Sequence, residues 1–299
     1  MQQVAARGVT RTRVAAYLAL TKPRIIELLL VTTLPTMVVA EAGLPPLGLV
    51  VWTLLGGALA AGGANALNMV VDRDIDAVMA RTRNRPLVTG EVSVAGALRF
   101  ALALEVAAFL LLWGAVNLLS AVLAVGATLF YVFVYTLWLK RTSTRNIVIG
   151  GAAGAVPVLV GWAAVRGELD WPPVILFAVI FYWTPPHFWA LAVRYRDDYA
   201  AADVPMLPAV VGVRATAVRI LGYSLALWAL TVLFGAVAHM GALYLTAALV
   251  LGGVFTWFAV QLLLSSTPQR AMRLFTWSIT YITLLFGAMA LDQLVRSGF

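Results

Sequence analysis

"GLVVWTLLGGALAAGGANALNMVVDRDID", residues 48–76, decides the fold. Residues 48–70 carry no charge, and at about 1.5 Å per residue such a helix crosses a hydrocarbon core of about 30 Å. Asp72, Asp74 and Asp76 follow at once. A barrel strand would alternate apolar and polar residues over about ten positions, and this run does not.

The same pattern extends in both directions. Apolar runs at about 25–42, 48–70, 95–115, 118–138, 146–165, 172–192, 215–237, 241–264 and 274–293 are divided by short charged loops, which predicts an all-α, polytopic membrane helical bundle of about nine transmembrane helices. The composition agrees: 62% hydrophobic and 11% charged residues, with a mean hydropathy of +0.93. Only Asn117 marks the turn between the third and fourth runs. Glycines in "LLGGALAAGG" (54–63) and "IGGAAGAVP" (149–157) suit close helix contact, and Pro157 is a candidate kink. Residues 1–24 read as a retained cytoplasmic arm with an interfacial segment, since they lack the long apolar core and cleavage site of a signal peptide. Residues 25–299 read as a single membrane-embedded domain.

The chain has no cysteine and two histidines, so thiolate chemistry, Fe–S clusters and Cys-based zinc sites are excluded. The net charge of +8 reflects Lys and Arg beside alternate spans, which is topology rather than nucleic-acid binding. Arg7, Arg11, Arg13, Lys22 and Arg24 share a side with Arg73, Arg81, Arg83, Arg85, Lys140, Arg141, Arg145, Arg194, Arg196, Arg214, Arg219, Arg270 and Arg273. Arg166 and Arg296 fall opposite. The amino end is therefore expected in the cytoplasm and the carboxyl end outside.

If the helix continues past residue 70, Asn68, Asp72 and Asp76 stand at i+4 intervals on one face while Asp74 points elsewhere. Oxygen donors in a row suit Mg²⁺, which takes one or two carboxylates together with substrate phosphates and water. As a bland alternative, the aspartates solvate a loop and pair with Arg73, Arg81, Arg83 and Arg85. A second acidic pair, Asp197 and Asp198, follows the sixth span and is expected at the same membrane face. Mg²⁺ could join the two edges through a diphosphate. Arg85, Lys140 and Arg141 are the preferred diphosphate contacts, because arginine forks fit phosphate oxygens; as simple topology determinants they would touch anionic lipid instead. His187 follows Pro185 and Pro186, which are expected to interrupt the sixth span. It is a candidate to hydrogen-bond substrate or backbone or to bind metal, and a satisfied structural histidine is the alternative. His239 belongs to the far side.

These residues resemble the UbiA superfamily of intramembrane prenyltransferases across nearly the whole chain. The first acidic motif of that superfamily, NxxxDxxxD, looks like Asn68, Asp72 and Asp76. The branch that prenylates haem is resembled by "RTRNRPLVTG" (81–90), "YTLWLKRTSTRNIVIGGAAGAVPVLVGW" (135–162) and "YWTPPHFWALAVRYRDDYAAADVPMLP" (182–208). The second motif departs from the wider DxxxD form, with Arg194 in its leading place and Asp198 as its second acid. Asp203 stands where glycine is common and receives no ligand role. The resemblance implies helices around a central cavity open to lipid, with acidic caps on the cytoplasmic side. It also implies an Mg²⁺-dependent transfer of farnesyl from farnesyl diphosphate to a vinyl group of haem b. In that setting Asn68, Asp72, Asp76, Asp197 and Asp198 are metal ligands, and His187 positions haem or water. Implied partners are haem A synthase or terminal oxidase assembly proteins, and the implied setting is a bacterial plasma membrane. A quinone-precursor prenyltransferase and a transporter of an anionic or haem-linked substrate are the competing functions.

Overall fold

The computed structural model describes residues 12–298, without the side chains of Arg24, Ile25 and residues 27–30. Arg7, Arg11 and the rest of residues 1–11 of the expected arm lie outside the described residues. Helix α1 (Arg13–Thr21) starts where Thr12 Oγ1 accepts from Ala15 N, and Lys22, in the left-handed region at φ 52, turns the chain into α2 (Pro23–Glu41). Next come α3 (Leu47–Val71), the short cap helices α4 (Arg73–Val78) and α5 (Pro86–Thr89), and α6 (Val94–Ala115). Helix α7 (Leu118–Leu129) runs into a π-helical segment, Phe130–Leu139, and then α8 (Lys140–Thr142). Helices α9 (Asn146–Arg166) and α10 (Trp171–Arg194) follow, and the second cap is α11 (Arg196–Ala201) with α12 (Leu207–Val211). Helices α13 (Val213–Val237), α14 (Ala242–Leu264) and α15 (Pro268–Arg296) complete the chain.

Eight helices among the described residues are long and apolar enough to cross a membrane, and α2 lies where the first span is expected. The apolar stripe Leu102, Val106, Leu110 and Trp113 of α6 is exposed. In water such a stripe would be an aggregation site, and in lipid it is the wall of a membrane protein. Helix α3 packs along α6, α10 lies between α9 and α13, α14 joins α13 to α15, and α2 bridges α9 and α15. Successive spans alternate in direction. Helices α3, α10 and α14 therefore end, and α6, α9, α13 and α15 begin, at one end of the bundle; the contact of Ser297 Oγ with Ala42 O, 2.6 Å, closes the other.

Two loops show how sparse polar residues shape the bundle. Asn117 turns α6 into α7 almost alone: its Oδ1 accepts from Ser120 N at 2.8 Å and its Nδ2 donates to Ala163 O at 2.7 Å. At the far end, buried Asp292 accepts from Gly241 N (2.6 Å) and Tyr244 N (3.2 Å), capping α14 from α15. Asp292→Ala is expected to cost about 2 kcal/mol, read as a lower melting temperature in detergent with turnover intact below it. Pro185 and Pro186 do not interrupt the sixth span as expected, because α10 runs unbroken through them. Only the two bonds that their missing N–H groups would have made are lost, and the rest of the helix keeps its backbone satisfied in a medium where every open group is costly.

Candidate active site

Asp72 sits at the break between α3 and α4, at φ −85 and ψ 7. The i→i−4 ladder survives the break: Asp72 N donates to Asn68 O at 2.9 Å and Asp76 N to Asp72 O at 2.8 Å. Asn68, Asp72 and Asp76 consequently share a buried face, while the Asp74 side chain is 66% exposed. The i+4 reading of the sequence therefore holds in three dimensions.

Each acid has a cation. Arg85 Nη1 pairs with Asp76 Oδ2 at 2.6 Å, and Lys140 Nζ pairs closely with Asp72 Oδ2. Asn68 Nδ2 donates to the same Asp72 oxygen at 2.7 Å and to Thr136 Oγ1 at 3.1 Å, while Asn68 Oδ1 accepts from Lys22 Nζ at 2.8 Å. Arg141 grips Asp74 with both Nη atoms (2.7 and 2.8 Å), donates to Val71 O at 3.0 Å, and stands 4.0 Å from Asp72 Oδ1. That fork holds the Asp74 carboxyl down at about 2.

Three cations thus crowd two buried carboxylates. The Lys22 amine is pushed down to about 7, first by burial and then by Arg85 and Lys140, against the pull of Asp72 and Asp76. An anion bearing several oxygens would restore the charged form of Lys22 and complete this cluster of donors. The donors also fit Mg²⁺ carried in with such an anion. They are all oxygen, and Asp72 Oδ1 is buried without a hydrogen-bond partner. No three His, Asp or Glu groups among the described residues form a cage of their own.

Lys22 and Thr136 are contributions the sequence reading did not single out. Lys22 lies beside a membrane span and reads as a topology charge, yet its left-handed backbone stores strain of about 1 kcal/mol or more in a non-glycine residue and carries its amine to Asn68. Thr136 gives no sequence signal. It reaches Asn68 from the π-helical segment, where its Oγ1 donates to Tyr131 O five residues back at 2.8 Å. Wide π turns recur at functional sites, and this one presents Thr136 to Asn68 and, just beyond it, Lys140 to Asp72.

The second cap meets the first at the same end of the bundle. Arg81 lies 5.4 Å over the Tyr195 ring and hydrogen-bonds the buried Tyr199. A cavity of about 330 Å³ is lined by Asp74, Ile75, Val78 and Arg141 on one side and by residues 201–204 on the other. Asp198 is half-buried in α11, whereas Asp197 is exposed and pairs with Arg196 at 3.3 Å. The structure brings Asn68, Asp72, Asp76, Arg85, Lys140 and Arg141 together and leaves Asp197 and Asp198 on the facing cap.

His187 is buried in α10. Its ring stacks on Trp183 at 4.3 Å and lies 4.7 Å from Phe275. Ser278 Oγ lies 2.6 Å from both Phe275 O and His187 Nδ1. With the hydroxyl proton on Phe275 O, Ser278 accepts from His187 Nδ1–H and the ring keeps its lone pair on Nε2.

The UbiA prenyltransferase family model matches residues 29–285. A protoheme IX farnesyltransferase of Parafrankia sp. (strain EAN1pec) is 52% identical over 97% of this chain and 93% of its own, and one of Streptomyces avermitilis is 51% identical over 95% of each chain. A solved UbiA homolog from Archaeoglobus fulgidus, bound to GPP and Mg²⁺, has the same fold with a TM-score of 0.60, at 18% identity over 92% of this chain and 99% of its own. With a family match over residues 29–285, relatives about half identical over nearly the whole chain, and an all-helical membrane bundle to hold the acidic and basic motifs, the chain belongs to the UbiA prenyltransferase family, in its protoheme IX farnesyltransferase branch.

Proposed function

We infer that the chain transfers the farnesyl group of farnesyl diphosphate to a vinyl group of haem b, with water adding a hydroxyl to the adjoining carbon, to give haem O and diphosphate. The observation that carries this reading is the 52% identity over 97% of the chain to a protoheme IX farnesyltransferase.

Arg85, Lys140 and Arg141, joined by Lys22, bind the phosphate oxygens and fix the head group at the buried face of Asn68, Asp72 and Asp76. Those three residues, with Asp197 and Asp198 on the facing cap, would hold Mg²⁺; when bound, it supplies positive charge against the departing diphosphate. Guanidinium and ammonium donors stabilise that charge as the allylic C–O bond breaks and its electron pair leaves with the diphosphate oxygen. The apolar helices keep bulk water from the farnesyl cation. The vinyl group supplies the electron pair for the new C–C bond, and one water then adds at the adjoining carbon and loses a proton. His187 positions the haem substrate, with Nε2 offered towards its iron and Nδ1 anchored on Ser278.

The same reading places the amino end in the cytoplasm and the carboxyl end outside a bacterial plasma membrane, because arginine and lysine gather at the capped end. It names haem A synthase or terminal oxidase assembly proteins as the partners that receive the product. Purified protein given haem b, labelled farnesyl diphosphate and Mg²⁺ is expected to yield haem carrying both the label and a hydroxyl, and a chelator is expected to abolish it. Labelled product on a quinone precursor, with none on haem, would overturn the assignment.

A further inference from the structure

Helix α11 packs chiefly on its chain neighbours α10 and α12, and a cavity remains between it and the first cap. Arg81 crosses from the first cap to the second. Its guanidinium lies 5.4 Å over the Tyr195 ring and hydrogen-bonds the buried Tyr199, and it forms no ion pair among the described residues. The turn that carries Arg81 is fixed from within: buried Thr82 donates from Oγ1 to Asp76 O at 3.1 Å, and Thr82 N donates to Met79 O, also at 3.1 Å. The base of Arg81 is thereby tied to the backbone of Asp76.

On the second cap, Tyr199 N donates to Tyr195 O at 3.1 Å, so the two rings stand one turn apart on one face of α11. At about 100° per residue, Asp198 flanks that face and Asp197 falls on the reverse. Burial agrees, with Asp198 half-buried and the Asp197 side chain 90% exposed. A helix of six residues is too short to hold its own conformation and takes its setting from its contacts. We propose that Arg81 is a positioning residue for farnesyl transfer: by holding Tyr195 and Tyr199 it sets the rotation of α11 and presents Asp198 to the face of Asp72 and Asp76. Asp76 O, Thr82, Arg81 and the two tyrosines then form one continuous link between the acidic edges of the caps. Topology accounts for positive charge in this loop, but Arg83, two residues on and exposed, meets that need without a place over a ring. The inference rests on the farnesyl-transfer reading for the metal that Asp198 would share; the contact between the caps does not.

The chain has no cysteine, so spin labels on cysteines placed at Thr89 and Ala200, exposed on the two caps, report how α11 is held against the first cap. Pulsed electron resonance reads that distance in full-length protein without substrate or metal. The parent is expected to show one narrow distance, R81Q to broaden it and R83Q to leave it unchanged. Y195F, which keeps the ring face, should stay narrow, whereas Y195L should broaden. Arg81 is exposed, so R81Q is expected to fold with a parent-like melting temperature. In turnover, R81Q should lower kcat about 10-fold, the scale of one cation–π contact and one hydrogen bond together, with the KM for farnesyl diphosphate unchanged. R81Q/D198N should match D198N alone, because a residue that acts through Asp198 has nothing left to position. An unchanged distance in R81Q, a broadening shared by R83Q, or losses that add with D198N would overturn the proposal. A raised KM for farnesyl diphosphate at constant kcat would overturn it too, by giving Arg81 to the diphosphate itself. The distances are read without turnover, so a failure to prenylate haem would count against the farnesyl-transfer reading and leave the clasp standing.

Discussion

Asp72→Asn is expected to lower farnesyl transfer by about 10³-fold, the equivalent of about 4 kcal/mol, with Asp76→Asn falling by a similar factor. The carboxamide keeps the size of the side chain and removes the charge. In Asp72→Asn, Lys140 loses a buried anionic partner, and Asn68 loses the carboxylate that accepts from it at 2.7 Å. In Asp76→Asn the same happens to Arg85. The loss should fall on turnover at saturating Mg²⁺ and not on membrane insertion, which depends on spans that neither substitution touches. Turnover measured beside membrane yield and melting temperature separates the two. Full Mg²⁺-dependent activity in both variants would remove these aspartates from the reaction.

His187→Phe is the second large effect, and it should be confined to one substrate. Phenylalanine can take up the stacking on Trp183 and the packing against Phe275, but it has no ring nitrogen. We expect haem affinity and turnover to fall about 100-fold or more, the scale of one lost ligand or charge-assisted contact at a reacting group. Farnesyl diphosphate binding should stay unchanged, because the head-group residues lie at the capped end of the bundle and none of them touches His187. Haem titration by absorbance and thiodiphosphate binding by calorimetry give the two readouts. Unaltered haem binding with parent-like turnover would make His187 a structural residue, held by Ser278, Trp183 and Phe275.

How much of this was legible in the sequence varies with the physics behind each feature. Span positions were legible because a bilayer demands long uncharged runs: 48–70 was expected and α3 occupies Leu47–Val71, while 172–192 was expected and α10 occupies Trp171–Arg194. The last span was expected from 274 and begins at Pro268. Arg270 and Arg273 read as loop, yet helices continue through the interface with their charges turned to the surface. The face shared by Asn68, Asp72 and Asp76 followed from spacing alone, and so did the outward turn of Asp74.

Long-range pairings were not legible. Lys140 reaches Asp72 across 68 positions, and Arg141 reaches Asp74 across 67. A single sequence shows their charge and not their register, which depends on the π-helical turn at Phe130–Leu139. Lys22 was hidden for a related reason: beside a membrane span, a lysine used for topology and one used for a phosphate look the same. Thr136 resembles any other threonine of a span until Asn68 is placed beside it. The two prolines before His187 misled in the opposite direction, since a helix in lipid has strong reason to continue past them.

The central claim is that the buried face of Asn68, Asp72 and Asp76, ringed by Lys22, Arg85 and Lys140, is where the diphosphate and its divalent cation meet. A crystal of the protein with farnesyl thiodiphosphate and Mn²⁺ in place of Mg²⁺ tests it by anomalous scattering. The account predicts a Mn²⁺ peak against Asp72 and Asp76 with the diphosphate between the two caps and the farnesyl chain among the helices. A diphosphate bound at the opposite end of the bundle, or one at this end with no metal within reach of either aspartate, would contradict it.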